Sequence, residues 1–231
     1  MPLRVAFDLD GTVADMHSAL QKEGEKIFGK NIRPKARRLP AAETTPDEAG
    51  TAALKELRLT ARQQMQLWDH VKKIKNFWTT LPELEPGIIA RIAKAAHDRR
   101  WEVIFLTTRP STAGDLTQVQ SQRWLDTHGF RFPSVYVVQR SRGRIADALQ
   151  LDVVVDDRPE NCLDVAVESQ AKVILVWPGD LSEVPPGAER LGVQAVQTIS
   201  EALALVEQFD DTTNKPGVLK SIRRAFGGAA E

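Results

Sequence analysis

Five short runs rich in β-branched and other apolar residues punctuate the chain, at residues 3–7, 102–107, 134–138, 152–155 and 172–176. They are continuous rather than alternating, the pattern of strands covered on both faces. Between most of them the apolar positions recur at helical spacing, over 88–100, 116–128, 144–150 and 162–169, and Gly129 supplies a C-terminal stop for the second of these. This repeating unit predicts an α/β fold, a doubly wound parallel sheet with right-handed crossovers, closed by a helix over 200–209.

The exception is the connection between the first two strands, residues 13–86, which far exceeds an ordinary strand-to-helix loop. It predicts a small helical subdomain inserted into a core formed by 1–12 and 87–209. Segments 14–28 and 60–78 have helical spacing, and Thr45-Pro46-Asp47-Glu48 reads as a capping box that opens a further helix towards Leu57. Between them Lys30, Arg33, Lys35, Arg37 and Arg38 form a basic run without an acid, readable as a solvated loop or as a contact for a phosphate or partner. The stretch 210–231 passes through Asn214, Pro216 and Gly217 into a short basic amphipathic segment and reads as a tail.

Composition narrows the function classes. With 31 Lys+Arg against 31 Asp+Glu the formal charge is zero, so no global field recruits nucleic acid or an anionic membrane, and a small molecule is the expected partner. One cysteine, Cys162, excludes an internal disulfide framework and reads as a small buried side chain. Acids at Asp8 and Asp10 directly follow the first apolar run, no segment offers the roughly 20 apolar residues of a bilayer span, and the expectation is a cytoplasmic protein. Oligomeric state leaves no trace in the pattern.

In a doubly wound sheet ligands bind beyond the carboxyl ends of the strands. The first strand ends in Asp8-Leu9-Asp10-Gly11-Thr12, where two carboxylates in extended geometry share a side and Gly11 lets the chain turn its amides towards an anion. The second ends in Leu106-Thr107-Thr108-Arg109-Pro110, with hydroxyls and a guanidinium suited to phosphoryl oxygens. The fourth ends in Asp156-Asp157-Arg158-Pro159, a second acidic pair. Four carboxylates at one edge repel one another unless a hard cation such as Mg²⁺ lies among them, and a divalent metal with a phosphate makes a compensated site.

These residues resemble, in order, the motifs of the haloacid dehalogenase superfamily. Asp8-Leu9-Asp10-Gly11-Thr12 is similar to its first motif, Thr107 after an apolar strand to its second and Asp156-Asp157 after Val153-Val154-Val155 to its fourth. The Asp157-Arg158-Pro159-Glu160-Asn161 form of the last, with Thr108-Arg109-Pro110, resembles the 5'(3')-deoxyribonucleotidase-like branch, and segment 13–86 stands where the family carries a first-type helical cap. The resemblance implies a Mg²⁺-dependent phosphomonoester hydrolase in which Asp8 attacks phosphorus and Asp10 serves as acid and base. It implies a metal held by Asp8, Asp10 through its backbone carbonyl, and Asp156 or Asp157, and a phosphoryl group held by Gly11, Thr12, Thr107 and Thr108. Where the third motif usually carries a lysine the chain has Gln139-Arg140-Ser141-Arg142-Gly143-Arg144, so Arg142 or Arg144 takes that place.

A nucleoside monophosphate is the first expected substrate. A phosphotransferase or phosphomutase acting on a sugar phosphate, and a catalytically silent binding module on the same fold, are the alternatives. His17, just past Asp15, reads as near the substrate or as a packing residue. Trp68, Phe77 and Trp78 on the 60–78 segment read as core or as a platform for a base. His70, His97 and His128 have no metal-ligand spacing.

Overall fold

The computed structural model describes residues 2–29 and 59–214. Its centre is a parallel sheet of six strands, β1 (Arg4–Asp8), β2 (Glu102–Thr107), β3 (Ser134–Val137), β4 (Val153–Asp156), β5 (Lys172–Val176) and β6 (Gln194–Val196), in the order β3-β2-β1-β4-β5-β6. The doubly wound α/β architecture expected from the sequence is therefore present. Strand β6 is additional to the five expected: it is only three residues long, sits at the sheet edge, and none of its residues is fully buried, so it carries no continuous apolar run.

Residues that look uniformly apolar in sequence alternate between two faces in space, as strand geometry requires. Val5, Phe7, Val103, Phe105, Val153 and Val155 belong to one buried cluster, whereas Ala6, Ile104, Leu106, Val154, Val173 and Leu175 belong to the other. The first face is covered by α3 (Ile88–Arg99), α4 (Thr117–Thr127) and α8 (Ile199–Asn214), through residues such as Ile92, Trp124 and Leu203. The second is covered by α5 (Arg142–Ala148), α6 (Pro159–Glu168) and the short α7 (Pro186–Arg190), through Ala146, Cys162, Val165 and Ala188. At about 25 cal/mol per Å² of apolar area removed from water, these two layers are the main source of stability.

Local capping chemistry explains where several helices begin. Ser141 accepts from the Arg144 amide, so α5 starts two residues before the expected boundary at 144. Pro159 at the first position of α6 presets the helical φ and moves that start forward from 162. The expected C-terminal stop at Gly129 appears as a left-handed residue with φ of 101°.

In the insertion, α1 (Met16–Phe28) is capped by Asp15, whose side chain accepts from the Ser18 amide, and α2 (Ala61–Val71) opens on a reciprocal Thr60–Gln63 capping box. The two helices meet through Glu23, which accepts from Lys26 and pairs with His70 at 3.0 Å. Leu20, Leu67 and Val71 join the same buried cluster as Phe7 and Phe105 of the sheet. The expected helix over 60–78 does not run through. After Val71 the chain pairs with the loop ahead of α4, through Ala113 N–H to Lys72 O at 2.7 Å and Asn76 N–H to Ala113 O at 2.7 Å, and Asn76 turns left-handed with φ of 56°. Phe77 and Trp78 then lie on a 3₁₀ turn (Phe77–Thr79) and are buried, so they are core residues and not an exposed stacking platform. The basic run at 30–38, the capping box at Thr45 and the tail beyond residue 214 lie outside the described residues. Among the described residues no helix is long and apolar enough to cross a membrane.

Candidate active site

The carboxyl ends of β1, β2 and β4 converge because β1 is central and pairs with both neighbours, setting Asp8 beside Leu106 and Phe7 beside Val155. Asp8 ends β1 and Asp156 ends β4, and with Asp157 they form a buried cluster whose oxygens lie within 4.8 Å of one another. Arg142, at the first position of α5, reaches into this cluster. Its Nη2 donates to Asp8 Oδ1 at 2.5 Å and its Nη1 lies 3.3 Å from Asp156 Oδ2. The Ser141 hydroxyl and the Gly143 amide, which flank Arg142, both donate to the Asp164 carboxylate of α6 and so hold the start of α5 in place.

Three buried carboxylates around a single guanidinium leave an excess of negative charge. Burial pushes the Asp8 carboxyl well above its ordinary value; Arg142 opposes this, and Asp156, Asp157 and Asp10 add to it. Burial also works against the charge on Arg142, but Asp8 and Asp156 more than offset it and hold its pKa above the usual arginine value. Asp156 is oriented by two further donors: the Arg158 amide gives 2.9 Å to Oδ1, and the Asn161 side-chain amide spans both oxygens at 3.1 and 3.0 Å. This oxygen-only, over-negative cluster has the donor chemistry that a hard divalent cation takes. The Asp10 carboxylate is outside it.

Asp10 has its own arginine. Arg109 Nε lies 2.9 and 2.8 Å from the two Asp10 oxygens and Nη2 lies 2.8 Å from Oδ1, while the Thr107 hydroxyl donates to Oδ2 at 3.1 Å. Both acids line one cleft with Met16, Thr108 and Arg158. Gly11 makes the turn between strand and insertion possible: it has φ of +86°, and a Cβ there would lie 2.3 Å from Asp157 Oδ2. Its own amide is taken by Ala14 O at 2.9 Å, so among the described residues the Asp10 and Thr12 amides, not that of Gly11, are the turn's donors without a protein acceptor.

Several expected residues take places that the sequence pattern does not suggest. Arg144 is exposed on α5, whereas Arg142 is 4% exposed and reaches into the cluster. Thr12 is fully buried and its hydroxyl points to Asp157 Oδ1 at 3.5 Å instead of opening to the cleft. Arg109, expected to meet phosphoryl oxygens, is engaged by Asp10 and by Ser121. Asn161 is visible in sequence only as part of a motif; its contact with Asp156 follows from one helical turn of α6 closing back onto the strand end.

No protein-family model matches the chain, and a search of curated proteins gives no match. Solved structures do match. A haloacid dehalogenase-like family hydrolase from Xanthomonas campestris superposes with a TM-score of 0.51 at 16% identity, over 91% of this chain and 97% of that one. A haloacid dehalogenase-like family hydrolase from Streptococcus pneumoniae gives 0.53 at 14%, over 89% and 98%. The fold is haloacid dehalogenase-like. A further structure of this fold, a HAD family hydrolase from Deinococcus radiodurans with bound phosphate and sodium, matches with a TM-score of 0.51 at 13% identity, over 90% of this chain and 96% of that one. At these identities the likeness establishes the haloacid dehalogenase-like fold, and the chemistry rests on the residues of this chain.

Proposed function

We propose that this chain is a phosphomonoester hydrolase that works through an aspartyl-phosphate on Asp8 and takes a small substrate, a nucleoside monophosphate first among them. The observation that carries the reading is the Arg142 guanidinium bridging Asp8 and Asp156, at 2.5 and 3.3 Å, within a cluster of three buried carboxylates at the open ends of β1 and β4. Asp8 and Asp156 share the one guanidinium with Asp157 beside them, an all-oxygen arrangement that suits a cation and a phosphate together.

Asp8, Asp156 and Asp157 are the side chains that would hold Mg²⁺, with the Asp10 carbonyl as a backbone ligand. When bound, the ion would supply neutralisation of the carboxylates and of charge on the transferring phosphoryl group. In the first step an Asp8 oxygen attacks phosphorus, the ester P–O bond breaks, and the leaving oxygen takes a proton from Asp10. In the second step water attacks phosphorus, Asp10 receives its proton, and the bond to Asp8 breaks to release orthophosphate. Arg142 favours the ionised form of Asp8, against burial, and directs it at the cleft. Thr108, with Arg158 beside it in the cleft, is a donor for phosphoryl oxygens, and Thr107 steadies Asp10.

Phosphate release from an aryl phosphate and from a panel of nucleoside and sugar monophosphates, with Mg²⁺ or chelator, tests this for wild type and Asp8→Asn. Release that requires metal and is lost in the variant supports the reading, and the ranking of the panel selects the substrate. Transfer of the phosphoryl group to an added sugar in preference to water would point to a phosphotransferase. Equal inactivity of both proteins on every substrate would overturn the hydrolase reading.

A further inference from the structure

Arg109 is buried at 3% exposure, and each nitrogen of its guanidinium has a partner within the protein. Nε and Nη2 fork the Asp10 carboxylate at 2.8 to 2.9 Å, and Nη1 donates to Ser121 Oγ at 3.0 Å. Its Cζ lies 5.1 Å from the ring centroid of Trp78 and 5.8 Å from that of Trp124, so two indoles hold the group as cation–π partners. Each indole is itself anchored, Trp78 Nε1 to Pro110 O at 2.9 Å and Trp124 Nε1 to Leu81 O at 2.7 Å. The Trp78 amide donates to Gln120 Oε1 at 3.1 Å, which ties the insertion's 3₁₀ turn to α4.

The geometry points to Arg109 as a positioning residue: held by Trp78 and Trp124, it fixes the orientation of the Asp10 carboxyl group, which in its protonated form gives its proton to the leaving oxygen. This rests on the acid–base role proposed for Asp10. All three nitrogens of Arg109 are engaged within the protein and its side chain is buried, which distinguishes it from an exposed substrate ligand. A planar fork fixes both the position and the plane of a carboxylate, which a lysine ammonium cannot do. Displacements of about 1 Å in such groups change rates by about 10²-fold.

The test compares Arg109→Lys with Asp10→Asn, measuring first-turnover release of alcohol from an alkyl phosphate and from 2,4-dinitrophenyl phosphate, together with KM. The activated phenolate leaves without a proton, so loss of a positioned acid slows the alkyl ester selectively. We expect Arg109→Lys to follow Asp10→Asn, with at least about tenfold more loss on the alkyl ester and KM changed less than twofold. Ser121→Ala, which removes one anchor and keeps the charge, should show a weaker form of the same selectivity, and it carries the test should Arg109→Lys not fold. Added guanidinium should restore part of the alkyl-ester rate to Arg109→Ala. Equal loss on both esters with a raised KM would make Arg109 a substrate ligand and overturn the inference, as would an unchanged rate in Arg109→Lys. Selectivity in Asp10→Asn but in neither Arg109→Lys nor Ser121→Ala overturns the inference alone, whereas an unselective Asp10→Asn overturns the acid role and the inference with it.

Discussion

Replacing Gly11 by alanine separates the demands of the turn from those of the acid cluster. The backbone there has φ of +86°, and a left-handed alanine costs roughly 1–2 kcal/mol. The added Cβ would also sit 2.3 Å from Asp157 Oδ2 and 2.8 Å from its Cγ. Ordinary non-bonded separations are about 3.5 Å, so the carboxylate has to withdraw by about 1 Å, enough to lower turnover about 10²-fold. Gly87 supplies the control, because it has φ of +79° and nothing within 4 Å of an added methyl. Both variants should lose about 2–4 °C of melting temperature per kcal/mol of backbone cost. Only Gly11→Ala should also lose the extra stabilisation that bound Mg²⁺ would give the wild type under the proposed reading, about 2.7 kcal/mol at a hundredfold excess over Kd. Melting curves with Mg²⁺ and with chelator, and phosphate release, measure both effects. If Gly11→Ala kept the Mg²⁺ increment and the rate of Gly87→Ala, the placement of Asp157 in a metal cluster would be wrong.

Three further outcomes follow from the same geometry. Asp8 has a native pKa raised by burial above the unfolded value of about 3.9, so between those two values the native state binds more protons and metal-free stability falls as pH rises. Urea unfolding in chelator should show this decline, and Asp8→Asn should flatten it; a variant with the wild-type slope would refute the assignment. Arg142→Met leaves three buried acids without their guanidinium and should cost about 3–5 kcal/mol in chelator at neutral pH, whereas Arg144→Ala, on the exposed side of α5, should stay within about 0.5 kcal/mol and keep its activity. Trp78→Ala should destabilise the protein by about 3–5 kcal/mol in thermal unfolding, since Trp78 is fully buried and shares its environment with Arg109.

The sequence by itself determined five of the six strands and the doubly wound architecture, because a strand covered on both faces needs an unbroken apolar run that few other local structures tolerate. It also determined which chemistry gathers at one edge: in a parallel sheet every strand ends on the same side, so Asp8, Thr107 and Asp156 had to converge once their strands were recognised. The three-residue β6 and the break after Val71 escaped it, since the first has no burial pattern and the second depends on the distant loop at Ala113. Tertiary structure alone decided the ion pairs. Arg142 and Arg144 differ by two positions, about 200° around a helix, so only one can face Asp8, and the Ser141 cap that sets the start of α5 determines which. Likewise, Arg109 looks like a phosphate donor by its place in the sequence. Trp78 and Trp124, 46 residues apart in the chain, meet around it only when the insertion's turn packs on α4, and that contact turns Arg109 towards Asp10. Periodic burial is a local property and can be read along the chain; the partner of a buried charge depends on which distant segments exclude water from it.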